Sequence, residues 1–254
     1  MFIEERYKYI LDLLEKNGNV LVIDLSKEFN ISESMIRKDL QFLEKENLLQ
    51  RTYGGAINIK NTISSCESFN KRVEKNIDLK EIVAKKAFKE IKDNETIFLD
   101  SSTISYMIAK LIVKNNKKIT LITNMYEISS LIPVDSSAKF IFIGGDYNPF
   151  VGGSIGSYAI SQIKKYRCDK AFIGCTGFDL RDGSISTNLS EDASTKRTII
   201  SISKELFLVM LNDKFETSSS FIFSNIVDFN GIITETLPNK SIKNLLKDYY
   251  VNLI

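Results

Sequence analysis

Two sets of residues in this 254-residue chain have the types and spacing to do chemistry. In the first, short polar clusters follow apolar runs: Asp100-Ser101-Ser102-Thr103, Thr123-Asn124, Gly144-Gly145 and Gly174-Cys175-Thr176-Gly177. Hydroxyls and free backbone amides at a helix N-terminus suit a phosphate. Lys196, Arg197 and Lys214 add positive charge, and Asp100, Glu191 and Asp192 suit sugar hydroxyls or proton transfer. Taken singly, each has a blander reading as a turn residue, a helix cap or a solvated helix face. Four strand ends of one sheet contributing together favour a small-molecule pocket. The second set lies on a helix that opens at Ser32 and turns Ser34, Met35, Arg37, Lys38 and Gln41 outward, with Arg51 and Gly54-Gly55 following in a hairpin. Arginine forks onto guanine and methionine packs on a thymine methyl. Lysine and hydroxyls hold phosphates, which position a protein without specifying sequence. The alternative is a small helical interaction module with a solvated Arg-Lys pair.

Composition narrows the chemistry. The chain has no histidine, so a Ser-His-Asp or Cys-His nucleophile is impossible and a zinc site is not expected. Its three cysteines, Cys66, Cys168 and Cys175, form no CxxC and are odd in number, which argues against a secreted disulfide framework. A net charge of +2 says nothing about nucleic acid, so the argument for DNA rests on where the charges sit. No apolar run reaches the ~20 residues of a membrane span, and acidic Glu4 and Glu5 are unlike a signal peptide. A cytoplasmic, reduced protein without cofactor or metal is expected.

The elements that must position these residues follow from periodicity. Ile3, Tyr7, Ile10, Leu11 and Leu14 mark a first helix. A second runs from Val22 to Phe29, and a third buries Ile36, Leu40 and Leu43 with Ser32 as its N-cap. Paired glycines between short apolar runs then predict a hairpin around Gly54-Gly55. A charged helix over about 79–91 is expected to turn Ile82, Val83, Ala87 and Ile91 to one side. Beyond it, apolar strands at 96–100, 119–123, 140–144, 170–174, 205–211 and 231–234 alternate with helices. Near-continuous apolar strands of this kind imply a parallel sheet covered on both faces, whose ligands bind beyond the strands' carboxyl ends. The expected organisation is a winged helix-turn-helix over 1–57, a linker over 58–70 and an α/β domain over 71–254.

The stretch Ser32-x-x-Met35-Ile36-Arg37-Lys38-Asp39-Leu40, followed by Leu43 and Leu49-x-Arg51-x-x-Gly54-Gly55-Ala56, resembles the N-terminal signature of the DeoR family of sugar-metabolism regulators. That family's recognition helix reads Ser-x-x-Thr-Ile-Arg-Arg-Asp-Leu and its wing ends in Gly-Gly-Ala. Met35 and Lys38 are departures, and Arg and Lys are not interchangeable at a bidentate contact. The resemblance spans the chain. It implies a second domain similar to ribose-5-phosphate isomerase folds, sensing without turnover, and double-stranded operator DNA and a phosphorylated sugar as partners of a homo-oligomer. It carries over Arg72, Lys80, the Asp100 loop, Thr123-Asn124, Gly144-Gly145, Gly152-Gly153, Gly174, Gly177, Lys196-Arg197 and Lys214-Phe215. The family's Asp-x-Gly-Thr-Thr loop is Asp100-Ser101-Ser102-Thr103-Ile104 here. Asn148, Asp192 and Leu211 stand where an Arg, a Glu and an Asp are usual. Either the effector differs from the common sugar phosphates or sensing is weakened.

Three readings follow. The first is a repressor released from its operator by a sugar phosphate. The second is a sugar-phosphate isomerase with a DNA-binding appendage, using Asp100 or Asp192 as base and Lys196 or Lys214 as phosphate or oxyanion partner. The third is a constitutive DNA-binding oligomer with a degenerate pocket.

Overall fold

The computed structural model describes residues 3–17, 19–46, 48–52, 54–57, 68–215, 217–247, 249 and 251–254. The chain divides into two compact units, Met1–Glu67 and Ser68–Ile254. Residues 58–67 of the expected linker lie outside the described residues. Phe69 already opens a helix and is buried, so ordered structure begins before the expected boundary at 71.

In the first unit, helices α1 (Ile3–Asn17), α2 (Val22–Phe29) and α3 (Glu33–Lys45) surround a core of Ile10, Leu14, Leu25, Ile36, Leu40 and Leu43. Asn30 ends α2 in the left-handed conformation, which asparagine tolerates well. Ser32 caps α3 by accepting from the Met35 amide at 3.3 Å. The hairpin strands β2 (Gln50–Thr52) and β3 (Gly55–Ile57) are joined by an element not foreseen, β1 (Asn19–Leu21), giving the order β1-β3-β2.

The second unit begins with α4 (Phe69–Val73) and α5 (Ile77–Lys89). There follow β4 (Thr96–Leu99), α6 (Thr103–Lys114), β5 (Thr120–Thr123), α7 (Tyr126–Ser129) and β6 (Lys139–Phe142). A small hairpin, β7 (Asp146–Asn148) and β8 (Gly153–Ile155), leads to α8 (Ser157–Ile163) and β9 (Cys168–Ile173). Then come β10 (Gly177–Asp179), β11 (Ser184–Thr187), α9 (Ser190–Ser201), β12 (Ser203–Val209), β13 (Phe221–Asn225), β14 (Gly231–Ile233), α10 (Lys240–Lys247) and β15 (Asn252–Leu253). Seven strands form one parallel sheet in the order β15-β14-β12-β9-β4-β5-β6. All six foreseen strands are in it, and the edge strand β15 is the addition. A side layer, β10-β11-β13, is antiparallel.

Successive strand residues point to opposite faces, and the burial obeys this. Ile97, Leu99, Leu121, Phe172, Phe207 and Val209 pack under α5 and α6. Phe98, Ile122, Ala171, Ile173, Leu206 and Leu208 pack under α8, α9 and α10. On α5 the expected buried side is corrected. Ile82 is exposed, and Lys80 is buried with Val83, Ala84 and Ala87.

Candidate functional site

In the first unit the outward face of α3 carries the expected residues. Ser34, Met35, Arg37, Lys38 and Gln41 are all exposed, opposite the buried Ile36, Asp39, Leu40 and Leu43. The carboxylate next to Arg37-Lys38 in sequence is therefore withdrawn from that face. Asp39 takes a two-pronged contact from buried Arg6, Nε to Oδ2 at 2.6 Å and Nη2 to Oδ1 at 3.0 Å, and this hydrogen bond raises the arginine's pKa. Arg37 and Lys38 are left on that face without this carboxylate. Arg37 pairs with Glu33 across one turn, at 2.9 Å with both side chains exposed. Such a surface pair is worth little and yields readily to a phosphate or a base.

The two glycines of the wing differ. Gly54 has open space where a side chain would stand, whereas Gly55 is buried and a Cβ there would sit 1.9 Å from the Val20 carbonyl oxygen. Gly55 lets β3 approach β1, and among the described residues of the wing Arg51 and Gly54 are exposed. Arg51 is held by Glu44, which accepts its backbone N–H at 2.9 Å.

In the second unit the sheet order marks a candidate site. The chain moves outward from β4 through β5 to β6, then returns to the other side of β4 at β9. The reversal lies between β4 and β9, and open parallel sheets bind ligands in the crevice beyond the carboxyl ends at such a point. Asp100 directly follows β4 and Gly174 directly follows β9. The Gly174 amide donates to Asp100 Oδ2 at 2.8 Å, Ser105 Oγ donates to Oδ1 at 2.8 Å, and Lys196 Nζ donates to Oδ2 and to the Gly174 carbonyl. Lys196 is thus no solvated helix face. Burial alone would lower its pKa, but Asp100 and Asp192 outweigh that and raise it. Burial pushes the Asp192 pKa up against the pull of Lys196 and of Thr187, whose hydroxyl donates to it at 2.6 Å. Arg197, one position on, is exposed.

The loop after β4 is dense. Ser102 caps α6 by accepting from the Ser105 amide at 3.1 Å, and Thr103 is buried in the first turn. A Cβ on Gly174 would lie 2.6 Å from that of Ser102, and one on Gly153 2.8 Å from that of Ser101. Thr123 is spent locally, donating to the Leu99 carbonyl at 2.6 Å and accepting from the Met125 amide at 3.1 Å. Asn124 is different. Its Nδ2 donates to the Ser154 carbonyl at 2.9 Å, an oxygen that can only accept, so the amide's orientation is determined. Its Oδ1 is buried with no partner among the described residues.

Asp100, Ser101, Ser102, Asn124, Gly153, Gly174, Asp192 and Lys196 are therefore brought together. Gly144 and Gly145 face α8 instead, the first accepting from Gln162 at 2.9 Å and the second lying against Ala159. Gly177 packs on Thr217 and Ser218. Lys214 is partly exposed beside Asp213 at 3.5 Å. Sequence reasoning missed Ser105. It placed Lys80 by resemblance only, although Lys80 is in phase with the apolar stripe Val83, Ala84 and Ala87. The departure Asn148 shapes a turn, its Oδ1 accepting from the Phe150 and Val151 amides at 3.0 and 3.1 Å. Leu211, two residues past β12, is buried and brings no carboxylate.

Two family models match this chain, a DeoR-like helix-turn-helix domain over residues 6–62 and a DeoR C terminal sensor domain over residues 75–236. The chain is 27% identical over 249 residues to the glycerol-3-phosphate regulon repressor of Escherichia coli (strain K12), covering 98% of this chain and 97% of that protein. It is 31% identical over 238 residues to the lactose phosphotransferase system repressor of Lactococcus lactis subsp. lactis, covering 91% of each. Among solved structures, ribose 5-phosphate isomerase A from Methanocaldococcus jannaschii superposes with a TM-score of 0.41 at 17% identity over 55% of each chain.

Proposed function

This chain belongs to the DeoR family of transcriptional regulators, and from that premise we propose that it represses carbohydrate-metabolism genes and is released from its operator by a phosphorylated sugar. In this reading a symmetric oligomer lays two copies of α3 into the major groove at half-sites about one helical turn apart, or a multiple of it. Arg37 and Met35 read base edges, Lys38, Ser34 and Arg51 hold phosphates, and Gln41 flanks the contact. The effector occupies the crevice at the β4/β9 switch point. Release requires that it bind the DNA-free arrangement more tightly than the DNA-competent one.

The observation that carries the effector reading is the unpartnered Asn124 Oδ1, buried beside the Asp100 loop. A buried acceptor without a donor costs roughly 1–3 kcal/mol, and a sugar hydroxyl supplies that donor. The repressor reading is preferred to an isomerase because the Asp100 oxygens are already taken by Lys196, Ser105 and the Gly174 amide. A carboxylate so engaged is poorly placed to abstract a proton.

The test is binding of the purified protein to its own upstream DNA at two salt concentrations, with and without a panel of sugar phosphates. Sequence-preferring, salt-dependent binding that one ester loosens is the expected result. Operator binding indifferent to every ester would leave a constitutive DNA-binding oligomer, and turnover of ribose 5-phosphate abolished by Asp100→Asn would restore the enzyme.

A further inference from the structure

We propose that β6 is a self-pairing edge: two copies of the chain join through it across a two-fold axis at Ile141 and fuse their parallel sheets into one. This gives a contact to the oligomer that the operator reading assumes, and it is tested without DNA. β6 closes one end of the sheet and has β5 as its neighbour. In a parallel ladder, alternate residues of a strand bond to a given side. Lys139 and Ile143 donate their amides to the Ile119 and Thr123 carbonyls, each at 2.8 Å. Ile141 lies between them in the same phase, opposite Ile122, and so faces β5 as well. Phe140 and Phe142 therefore turn their N–H and C=O groups outward, where no strand stands among the described residues. Leu121, Ile122 and Thr123 of β5 are buried, whereas Lys139 and Phe142 of β6 are exposed and Phe140 and Ile141 half-buried. An open edge of this kind is a template for another strand.

The groups on this edge complement themselves. With the axis at Ile141, Phe140 of one copy stands opposite Phe142 of the other, and each such pair exchanges both of its N–H and C=O groups. Every outward group is then used. Ile141 meets its own copy between the two pairs, and Lys139 falls opposite Ile143 and not opposite a second Lys139. Registers one step away are spoilt. An axis at Phe140 calls on the Ala138 amide, which already donates to Ser136 Oγ at 3.2 Å. An axis at Phe142 calls on the Gly144 carbonyl, which already accepts from Gln162 Nε2 at 2.9 Å. On the face where Phe140 packs under α5 and α6, the pairing sets the exposed Phe142 against the other copy's Phe140, a stabilising cross-strand aromatic pair.

The surroundings of the edge are apolar for an exposed region. Tyr126, Val134, Phe142, Tyr147, Phe150 and Tyr158 are all exposed and all fall within 126–158, the stretch running from α7 through β6 to the start of α8. Among the described residues of the second unit, no other stretch of that length exposes as many large apolar side chains. Such a concentration, rich in aromatic residues, marks an interaction surface. A second copy fits it better than a foreign peptide. An edge this short gives too few hydrogen bonds to offset the ordering of a flexible strand, whereas a second β6 arrives already ordered. A two-fold contact also closes on itself, so it yields a dimer and not a fibre.

The experiment uses the full chain. Sedimentation equilibrium is expected to give a dimer or a larger even assembly for wild type. Phe142→Pro removes an outward N–H and none that bonds β5, so it should weaken association about tenfold or more. Ile141→Cys tests the register. Direct opposites in a non-hydrogen-bonded antiparallel pair have Cα atoms about 4.5 Å apart, within reach of a disulfide. Mild oxidation should therefore link Ile141→Cys to itself, whereas Phe140→Cys and Phe142→Cys link to each other in a mixture and neither links to itself. Wild type oxidised in parallel sets the background from Cys66, Cys168 and Cys175. A monomeric wild type, a folded Phe142→Pro of wild-type mass, or an Ile141→Cys protein that links no more than background overturns the contact. Thermal unfolding identifies a Phe142→Pro that has lost its fold, and the Ile141→Cys linkage then decides alone. A linked dimer that ignores its upstream DNA supports the contact and removes the repressor reading. Operator binding by a chain that does not link at Ile141→Cys overturns the contact and leaves the repressor reading standing.

Discussion

Lys196 on α9 ion-pairs with Asp100 at the tip of β4 across 96 positions of sequence, both side chains buried. Removing one partner of a buried pair strands the other's charge and costs roughly 3–5 kcal/mol, whereas replacing both is far milder. Lys196→Met is expected to destabilise the second unit by that amount, and the double variant Lys196→Met/Asp100→Leu by much less. Urea unfolding of the three proteins measures the coupling. Equal losses in the single and double variants would show that the pair is not the source.

The same logic applies in the first unit. Arg6→Met leaves Asp39 buried with no guanidinium, at a cost of about 3–5 kcal/mol, so operator affinity should collapse although Arg6 is buried in that unit's interior. Thermal unfolding together with anisotropy on labelled operator checks this. Lost affinity without lost stability would instead place Arg6 against DNA.

On α3 the two exposed cations should behave differently. Arg37→Ala is expected to cost about 1–3 kcal/mol and relax preference at one base pair, while Lys38→Ala weakens all sequences alike and lowers the salt slope by about one. Competition against operators varied one base pair at a time separates these outcomes. A uniform loss for Arg37→Ala would reduce it to a phosphate contact.

Gly55→Ala drives a methyl to 1.9 Å from the Val20 carbonyl, a clash that separates β1 from β3. Loss of operator binding is expected with Gly55→Ala and not with Gly54→Ala, where the space is open. Equal tolerance at both positions, read by the same anisotropy assay, would refute the close approach.

Stability should also carry a signature of Lys80. Its folded pKa of about 8 lies below the 10.5 of the unfolded chain, so between these values the unfolded state binds the extra proton. Stability therefore rises with pH across that window, and the penalty is fully present below pH 8. Lys80→Met should lose this slope and be more stable at neutral pH by about 1 kcal/mol or more. Unfolding midpoints of the two proteins at several pH values test it, and parallel pH profiles would contradict it.

Much of the architecture is written in contiguous residues. The spacing of Ile36, Leu40 and Leu43, the cap at Ser32 and the paired glycines of the wing specify a recognition helix and a hairpin before any tertiary contact is known. Six apolar runs likewise announce strands buried on both faces, because a parallel sheet leaves no polar face to alternate. These signals survive because helix and strand periods are local. Asp100 and Gly174 could be named as strand ends for the same reason.

What the tertiary structure decided is which of the polar residues become partners. Asp39 turns inward because Arg6, 33 positions away, is there to meet it. Lys196 leaves solvent because β4 and β9 become neighbours at the sheet's reversal and set Asp100 beneath it. Lys80 reads as one more charge on a charged helix until the fold places it at the sheet's carboxyl edge with Arg72 and Lys214 for company. Strand order and ion pairs depend on contacts far apart in the chain, and no local period encodes those. Residue types in this sequence named the helix-turn-helix, six strands of the parallel sheet and the chemistry available, but not β1, β15, the β7-β8 hairpin or the β10-β11-β13 layer; burial and charge pairing across long separations determined where that chemistry is gathered.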